Sequence, residues 1–576
     1  MTTPPGLKRR TLVKALAAST LFPILGSNLI GCSDGSDNSD VINSVPADFH
    51  HGVASGDPLT DRVILWTRVT PESEGQVRIE WELATDADFA NVVAEGSGAT
   101  SADVDYTVKV DAAGLQPATV YYYRFMTGDK TSTVGRTRTL PQGSIEAATF
   151  AVVSCSNYPA GFFNVYREVA GQDVDAVLHL GDYLYEYHST GYASERAVEL
   201  GRVVEPAHEL LTLADYRTRY AQYHRDEDLQ AAHAAHPFVI VWDDHEVANN
   251  SWKDGAQNHD PATEGSYDER EMAAIQAWHE WLPVRPPSSM KDIIYRRFQY
   301  GDLLDLLMLD TRRIARDERI VYSDFVTGGV IDVAQVRAAY GDSNRTMLGS
   351  DQLGWLREQL SQSSALWQVL GQQVLLGRYH LPAPILEALD PGISPENPQL
   401  AKGTAAVLAA IGAKETAPED RTAEQNALLA SSIPYNLDAW DGFEFERNEF
   451  LLFAQQLGSR LVVLAGDTHN AWTSQLTTTD GKIAGVEFGT TSVSSPGFDQ
   501  ILGPSNAALF SQLVAELVDN LVYANLVGRG YIHIAFTRET VTASHRFVTT
   551  IDSREYAVDE TAAKSFTINR ENMLVS

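Results

Sequence analysis

The chain has 576 residues, 44% hydrophobic and 21% charged, with 76 Asp and Glu against 44 Lys and Arg. That length exceeds one simple core, so two domains plus a leader is the natural partition for a globular chain. The formal net charge of -32 argues against a nucleic-acid partner, because a phosphate backbone would be repelled; an anionic substrate has to be held by local cations or arginines against the same field.

Residues 1–32 read as an export signal. Lys8, Arg9, Arg10 and Lys14 precede an uncharged stretch from Ala15 to Leu29, too short and too poorly flanked for a stable membrane span. Arg9-Arg10-Thr11-Leu12 resembles a twin-arginine signal, which is read by export machinery. Leu29-Ile30-Gly31-Cys32 resembles a lipobox, in which Cys32 takes lipid and becomes the mature N-terminus; the plainer alternative is an ordinary signal with a chance cysteine. The expectation is an exported protein, periplasmic or on the cell surface, lipid-anchored to the membrane. Residues 33–46, rich in Ser and Asp, read as a flexible tether. Only two cysteines occur, so lipid on Cys32 leaves Cys155 a free thiol that needs another reason to exist.

From 47 to 142, short alternating strands (DRVILWTRV, QVRIEWELA, YTVKVD, TVYYYRFMT) are punctuated by Gly and Pro, the pattern of a small all-β sandwich of fibronectin or immunoglobulin type. No catalytic grouping is visible there, and packing or spacing is the expected role. From 147 to 550 strands alternate with helices, the texture of an α/β layered domain. Helices are predicted at Asn164–Ala170, Asp215–Ala232, Asp268–Leu282 and Asp351–Leu360, the last capped around Gly349-Ser350-Asp351. LLDLLMLD and WQVLGQQVLL read as buried strands. Residues 375–450 read as an insertion beside the core, GYIHIAFTR and TVTASHRFV as a closing hairpin, and 551–576 as a C-terminal tail.

Four hydrophobic strands end on metal-ligand side chains: FAVVSC at Cys155, AVLHLGDYLY with Asp182 and Tyr185, FVIVWDDHE with Asp244 and His245, and LVVLAGDTH with Asp467 and His469. Ligands gather at the carboxyl ends of strands in open α/β sheets, so the four point to one shared metal centre. Carboxylate, phenolate, thiolate and imidazole from Asp182, Tyr185, Cys155 and His469 describe an iron-like site. Asp244, Asn249 and Asp467 are oxygen donors, which favour Ca²⁺, Mg²⁺ or Mn²⁺ over Zn²⁺. With Asp182 as the bridge, two unlike cations suit hydrolysis of a phosphate ester by an activated water, and His245 is placed to donate to a phosphoryl oxygen or leaving group. Taken singly, each residue has a plainer reading: an inert thiol at Cys155, packing at Tyr185, a helix start at Asp244, a cap at Asp467. Their joint occurrence outweighs these.

Asp182-x-x-Tyr185, Asp244-His245-Glu246 and Asp467-Thr468-His469 resemble the motifs of calcineurin-like metallophosphoesterases. Together with Ser154-Cys155-Ser156-Asn157-Tyr158, VWDDHEVANN and GTTSVSSPG they are similar to the PhoD family of alkaline phosphatases and phosphodiesterases. The resemblance implies a four-layer α/β fold, a β-sandwich flanked by helices, behind the N-terminal all-β domain. It implies Fe(III) on Cys155, Asp182, Tyr185 and His469, and Ca²⁺ on Asp182, Asp244, Asn249 and Asp467, ahead of Mn²⁺, Mg²⁺ or Zn²⁺; Asn250 stays open as the alternative to Asn249. Where ordinary members carry a VxxH histidine, this chain has Gly371-Gln372-Gln373. The expected activity is phosphate release from small phosphomonoesters and also phosphodiesters. A phospholipase D-like diesterase and an inert surface binding lipoprotein are the competing readings, and loops such as 187–215 and 375–450 govern leaving-group preference.

Overall fold

Two large sheets lie face to face, and helices cover their outer sides. In the computed structural model, residues 44–286, 293–389 and 399–576 are described; Arg9, Arg10 and Cys32 fall outside them. The first sheet has nine strands in the order Lys564–Asn569, Thr540–Val548, Arg529–Thr537, Ala147–Val153, Ala176–His179, Pro237–Ile240, Ala47–Gly56, Arg62–Pro71, Thr107–Ala113. The second has seven: Arg296–Tyr300, Leu304–Met308, Trp367–Gly371, Leu461–Ala465, Ile483–Gly489, Ala471–Thr477, Leu521–Asn525. At the centre of each sheet the strands run parallel, 147–153 beside 176–179 beside 237–240, and 304–308 beside 367–371 beside 461–465.

The strands of the second sheet are apolar on both faces, and period two divides them between two cores. Leu306, Val369, Val462 and Leu464 join the layer between the sheets. Leu307, Leu370, Leu461 and Val463 pack outward on Leu356, Leu360, Phe450, Leu451 and Phe510, which lie on helices Gly349–Gln362, Glu444–Leu457 and Pro504–Leu517. Across the inter-sheet layer, Phe150 meets Tyr300 edge-on at 5.0 Å, and Trp367 Nε1 donates to the carbonyl of Thr537 at 2.8 Å. Each fully buried side chain of this kind contributes about 1.5–3 kcal/mol, against about 0–1 kcal/mol for an exposed ion pair. The apolar layer therefore holds the sheets together.

The N-terminal sandwich is present, and it shares a sheet with its neighbour. Strands 47–56, 62–71 and 107–113 continue the first sheet, with Ser55 and Gly56 in parallel register with Pro237 and Phe238. The second sandwich sheet, Val92–Thr100, Val77–Ala84, Val120–Thr127 and Lys130–Thr131, with Gly135–Arg138 also paired to Val120–Thr127, closes over Val63, Leu65, Trp81, Val110 and Tyr123. At the other edge, residues 551–576 contribute the strand Lys564–Asn569, with Ile568 fully buried, so this segment is part of the sheet.

Helix Asn164–Ala170 has the predicted bounds. The expected helix Asp215–Ala232 is two, Leu213–Tyr223 and Glu227–Ala235. The break comes from Asp226, whose carboxylate accepts the Asp228 and Leu229 N–H groups at 3.0 and 3.3 Å, a cap that starts a new helix. The helix at 349–362 has no side-chain cap of its own. Its entry is held instead by Glu446, which accepts the Met347 and Leu348 N–H groups at 3.0 Å each and the Thr346 hydroxyl at 2.5 Å. Glu446→Ala strips three donors at once in a buried place and is expected to cost about 2–4 kcal/mol, read as a lowered urea midpoint at unchanged slope; an unaltered midpoint would show that the helix needs no such anchor.

Residues 375–450 divide. Helices Ala383–Leu389 and Leu400–Glu415 place Ile385, Val407 and Ala410 in the same core as Leu375, Leu376, Trp440 and Phe443, whereas helix Ala423–Ala430 buries no residue.

Candidate metal centre

The strand ends meet at the seam between the sheets. Cys155, Asp182 and Asp244 follow the adjacent strands Ala147–Val153, Ala176–His179 and Pro237–Ile240 of the first sheet, and Asp467 follows Leu461–Ala465 of the second. The turns are tight. Gly181 has φ +105, and a Cβ on it would lie 2.4 Å from Cβ of Asp243, so only glycine lets the two loops approach. Cys155, Asp182, Asp467 and His469 themselves sit at φ +62, +53, +66 and +60. A non-glycine residue held there costs on the order of 1–3 kcal/mol, and four at one spot mark strain kept for geometry.

Three sets of side chains bring ligand atoms within 4.8 Å of one another: Cys155 with Asp182 and His469, Asp182 with Asp244 and His245, and Asp243 with Asp244 and Asp467. Asp182 belongs to two of them. The Tyr185 hydroxyl lies 2.9 Å from Asp182 Oδ2, 3.0 Å from His469 Nε2 and 2.6 Å from the Ser495 hydroxyl. His469 Nδ1 is 2.8 Å from the Pro496 carbonyl, which places the proton on Nδ1 and leaves Nε2 facing Tyr185 and Asp182. The loop 490–497 does this work for both halves, since the Val493 N–H donates to the Ser154 carbonyl at 2.9 Å and the Thr491 hydroxyl to the His469 carbonyl at 3.1 Å. Asn249 and Asn250 are distinguished by their neighbours. The Asn250 amide is engaged by Gln257 Oε1 at 2.5 Å, whereas the Asn249 side chain has no partner among the described residues and its N–H donates to Glu186 Oε1 at 2.8 Å. Asp244 starts no helix; Val247 and Ala248 N–H groups close a turn on its carbonyl at 2.8 Å.

Several residues that hold the site were not read from the sequence. Arg312, 1% exposed, donates to Asp243, to Asp438 Oδ2 at 2.5 Å and to Asp467 Oδ1 at 2.9 Å. It follows LLDLLMLD, and applying the strand-end rule to that run would have found it. Glu246 accepts the N–H groups of Asp182, Tyr183 and Asp243 at 3.1, 2.6 and 2.8 Å, fastening two ligand loops together. Glu186 Oε2 lies 2.7 Å from His245 Nδ1, and its other oxygen takes the Asn249 N–H. In the Gly371-Gln372-Gln373 stretch, Gln372 accepts from Trp440 Nε1 at 3.0 Å, and Gln373 accepts from Thr311 and donates to the carbonyls of Trp242 and Leu309 at 2.7 and 3.0 Å.

Burial pushes the Cys155 thiol and the Tyr185 phenol up, and the Asp182 carboxylate adds to both. Burial also raises Asp243 and Asp244, and takes Asp467 to about 8, although Arg312 pulls all three back. Asp182 is held low because His245 and His469 outweigh its burial. Burial opposes a charged His245, yet Asp244, Glu186 and Asp182 keep its proton well above the ordinary histidine range. Such donors become anions together only when cations enter. Asp182 Oδ1 and Asp243 Oδ2 are buried without any hydrogen-bond partner, and each is an open acceptor in a place that demands one. The donor set fits metal ions.

The chain is similar to known proteins over most of its length. The model of the PhoD-like phosphatase family matches residues 150–545, and that of the PhoD-like phosphatase N-terminal domain matches 36–141. Alkaline phosphatase D of Bacillus subtilis (strain 168) is 34% identical over 519 residues, covering 86% of this chain and 77% of that protein. A solved structure described as the structure of PhoD superposes with a TM-score of 0.73 at 32% identity, covering 93% of this chain and 92% of the other. With both regions matched in order and the ligand loops folded onto one seam, the chain belongs to the PhoD-like phosphatase family and is a phosphoric ester hydrolase.

Proposed function

We propose that the protein is an exported, metal-dependent alkaline phosphatase that releases phosphate from small phosphomonoesters and also cleaves phosphodiesters. The observation that carries this reading is the meeting of two unlike donor sets at Asp182. Cys155, Asp182, Tyr185 and His469 would hold Fe(III), for which thiolate and phenolate are suited. Asp182, Asp244, Asn249 and Asp467 would hold Ca²⁺, which takes oxygen ligands. Such cations, when bound, acidify water and neutralise charge on a transferring phosphoryl group. The protein's own part is positioning and protonation. Glu186 fixes His245 by its Nδ1, so the other ring nitrogen presents a proton to the leaving group. Arg312 sets Asp467 and supplies permanent positive charge in a chain that otherwise repels anions.

Metal analysis of protein folded in the cell tests this. Iron and calcium are expected, with a violet or brown charge-transfer band from the Tyr185 phenolate that Tyr185→Phe removes; a colourless zinc protein with full activity would sink the assignment. Hydrolysis of nitrophenyl phosphate, bis-nitrophenyl phosphate and phosphatidylcholine separates the substrate classes, and strong choline release without monoester cleavage would replace this reading by the phospholipase one. Export rests on Arg9-Arg10 and Cys32. Cys32→Ala is expected to free the protein from the membrane without changing its turnover, followed by fractionation.

A further inference from the structure

Beside the metal centre is a cavity of about 230 Å³ with apolar walls that include Leu386, Val407, Trp472, Leu502 and Val514. Its inner wall is bonded to the candidate ligand loop. Trp472 Nε1 donates to the Thr468 hydroxyl at 2.8 Å, and Thr468 stands between Asp467 and His469. The Phe498 N–H, also at the wall, donates to Asn470 Oδ1 at 3.3 Å. Tyr435 and Asn436 form a partition. On their far side the same two residues line a more polar basin of about 550 Å³ that reaches Asn250, whose N–H donates to Asp244 Oδ2 at 2.5 Å. The Tyr435 hydroxyl is buried at this junction, against Thr468 and Asn436. At the outer end Ile501 is 40% exposed.

An apolar cavity gives water few partners and suits an apolar occupant. Its volume is below the roughly 300–1,000 Å³ of drug-sized pockets, so it takes one chain and excludes a diacyl group. The polar basin and the apolar cavity meet at Tyr435 and Asn436, and each is bonded to a ligand loop, through Asn250 to Asp244 and through Trp472 to Thr468, a layout for an amphiphile with its phosphate at the metal centre.

We propose that this cavity is a subsite for a single alkyl chain esterified to the phosphate, so that the protein selects single-chain amphiphilic phosphodiesters over short-chain ones. The proposal rests on the phosphoesterase reading above and names its substrate class. It assigns to residues 379–389, Val407 and residues 435–436 the selection that the insertion was expected to exert.

The test is a series of alkyl p-nitrophenyl phosphodiesters, methyl to octyl, with one constant leaving group. kcat/KM is expected to rise by up to about fourfold per added methylene, the limit set by moving a methylene out of water, and to level once the chain fills the cavity. In Val407→Trp, which fills the space, and Ile501→Glu, which charges the exposed mouth without disturbing the core, the octyl-to-methyl ratio is expected to fall toward one. A ratio near one in the unaltered protein, or an undiminished ratio in both variants, overturns the proposal. Quenching of tryptophan fluorescence by octylphosphonate and methylphosphonate reads binding without turnover. Tighter octylphosphonate binding that Ile501→Glu abolishes, in a protein that cleaves no ester, would uphold the subsite and reject the phosphatase reading. Octanol binding as tightly as octylphosphonate would mark an apolar sink unrelated to phosphate, and would also overturn it.

Discussion

Asp182→Asn is expected to lower phosphate-ester turnover about a thousandfold or more while the fold persists. The substitution keeps shape and removes one charge. The backbone N–H of Asp182 still reaches Glu246, and an amide oxygen still accepts from Tyr185, so the turn and its neighbours keep their bonds. What disappears is the carboxylate common to both donor sets, whose Oδ1 has no other partner. Cation stabilisation of a transferring phosphoryl group is worth several kcal/mol, and each 1.36 kcal/mol is tenfold in rate. Metal content should fall in the same variant, while circular dichroism and the unfolding midpoint stay close to those of the unaltered protein. A variant that kept a tenth of the activity would show that Asp182 is not the bridge.

His245→Ala is the second large effect, and its size should depend on the leaving group. A positioned proton donor contributes roughly 10²–10⁴-fold where the departing oxygen needs a proton. For alkyl phosphate esters a loss in that range is expected. For p-nitrophenyl esters, whose phenolate leaves unaided, the loss should be much smaller. Glu186→Gln should follow the same pattern more weakly, because the 2.7 Å contact to Nδ1 would survive as a neutral hydrogen bond with less hold on the proton. Equal losses on both ester types would make His245 a structural or ligand residue rather than a proton donor.

Much of this was legible in the chain because strand ends are where β-strand patterning and polar chemistry collide. A run such as LVVLA followed by Gly466-Asp467 cannot stay buried unless the aspartate has a partner, so both the strand and the candidate site announce themselves. The iron-like set and the oxygen-donor set together draw on four distant segments that the fold brings to one seam. Less legible were residues that act on the site through another residue. Glu186 and Glu246 look like any acidic neighbours of Asp182 and Asp244, and only the fold shows their carboxylates turned inward onto His245 and onto three backbone N–H groups. Asp438 lies in a stretch whose composition reads as an insertion, and its contact with Arg312 spans 126 residues, beyond any local pattern. The helix break at Asp226 was missed because periodicity runs through it, whereas a single well-placed cap overrides periodicity.

The strand that joins the N-terminal sandwich to the catalytic sheet has a consequence for how the chain can be divided. Pro237–Ile240 holds Ala176–His179 on one side and Ala47–Gly56 on the other. A protein trimmed to begin near residue 147 would leave that strand with a bare edge of unpaired N–H and carbonyl groups directly below Asp243 and Asp244, open to pairing with another chain. The N-terminal region is thus an edge guard for the metal-bearing strands, and a shortened protein should aggregate before it ever fails to catalyse.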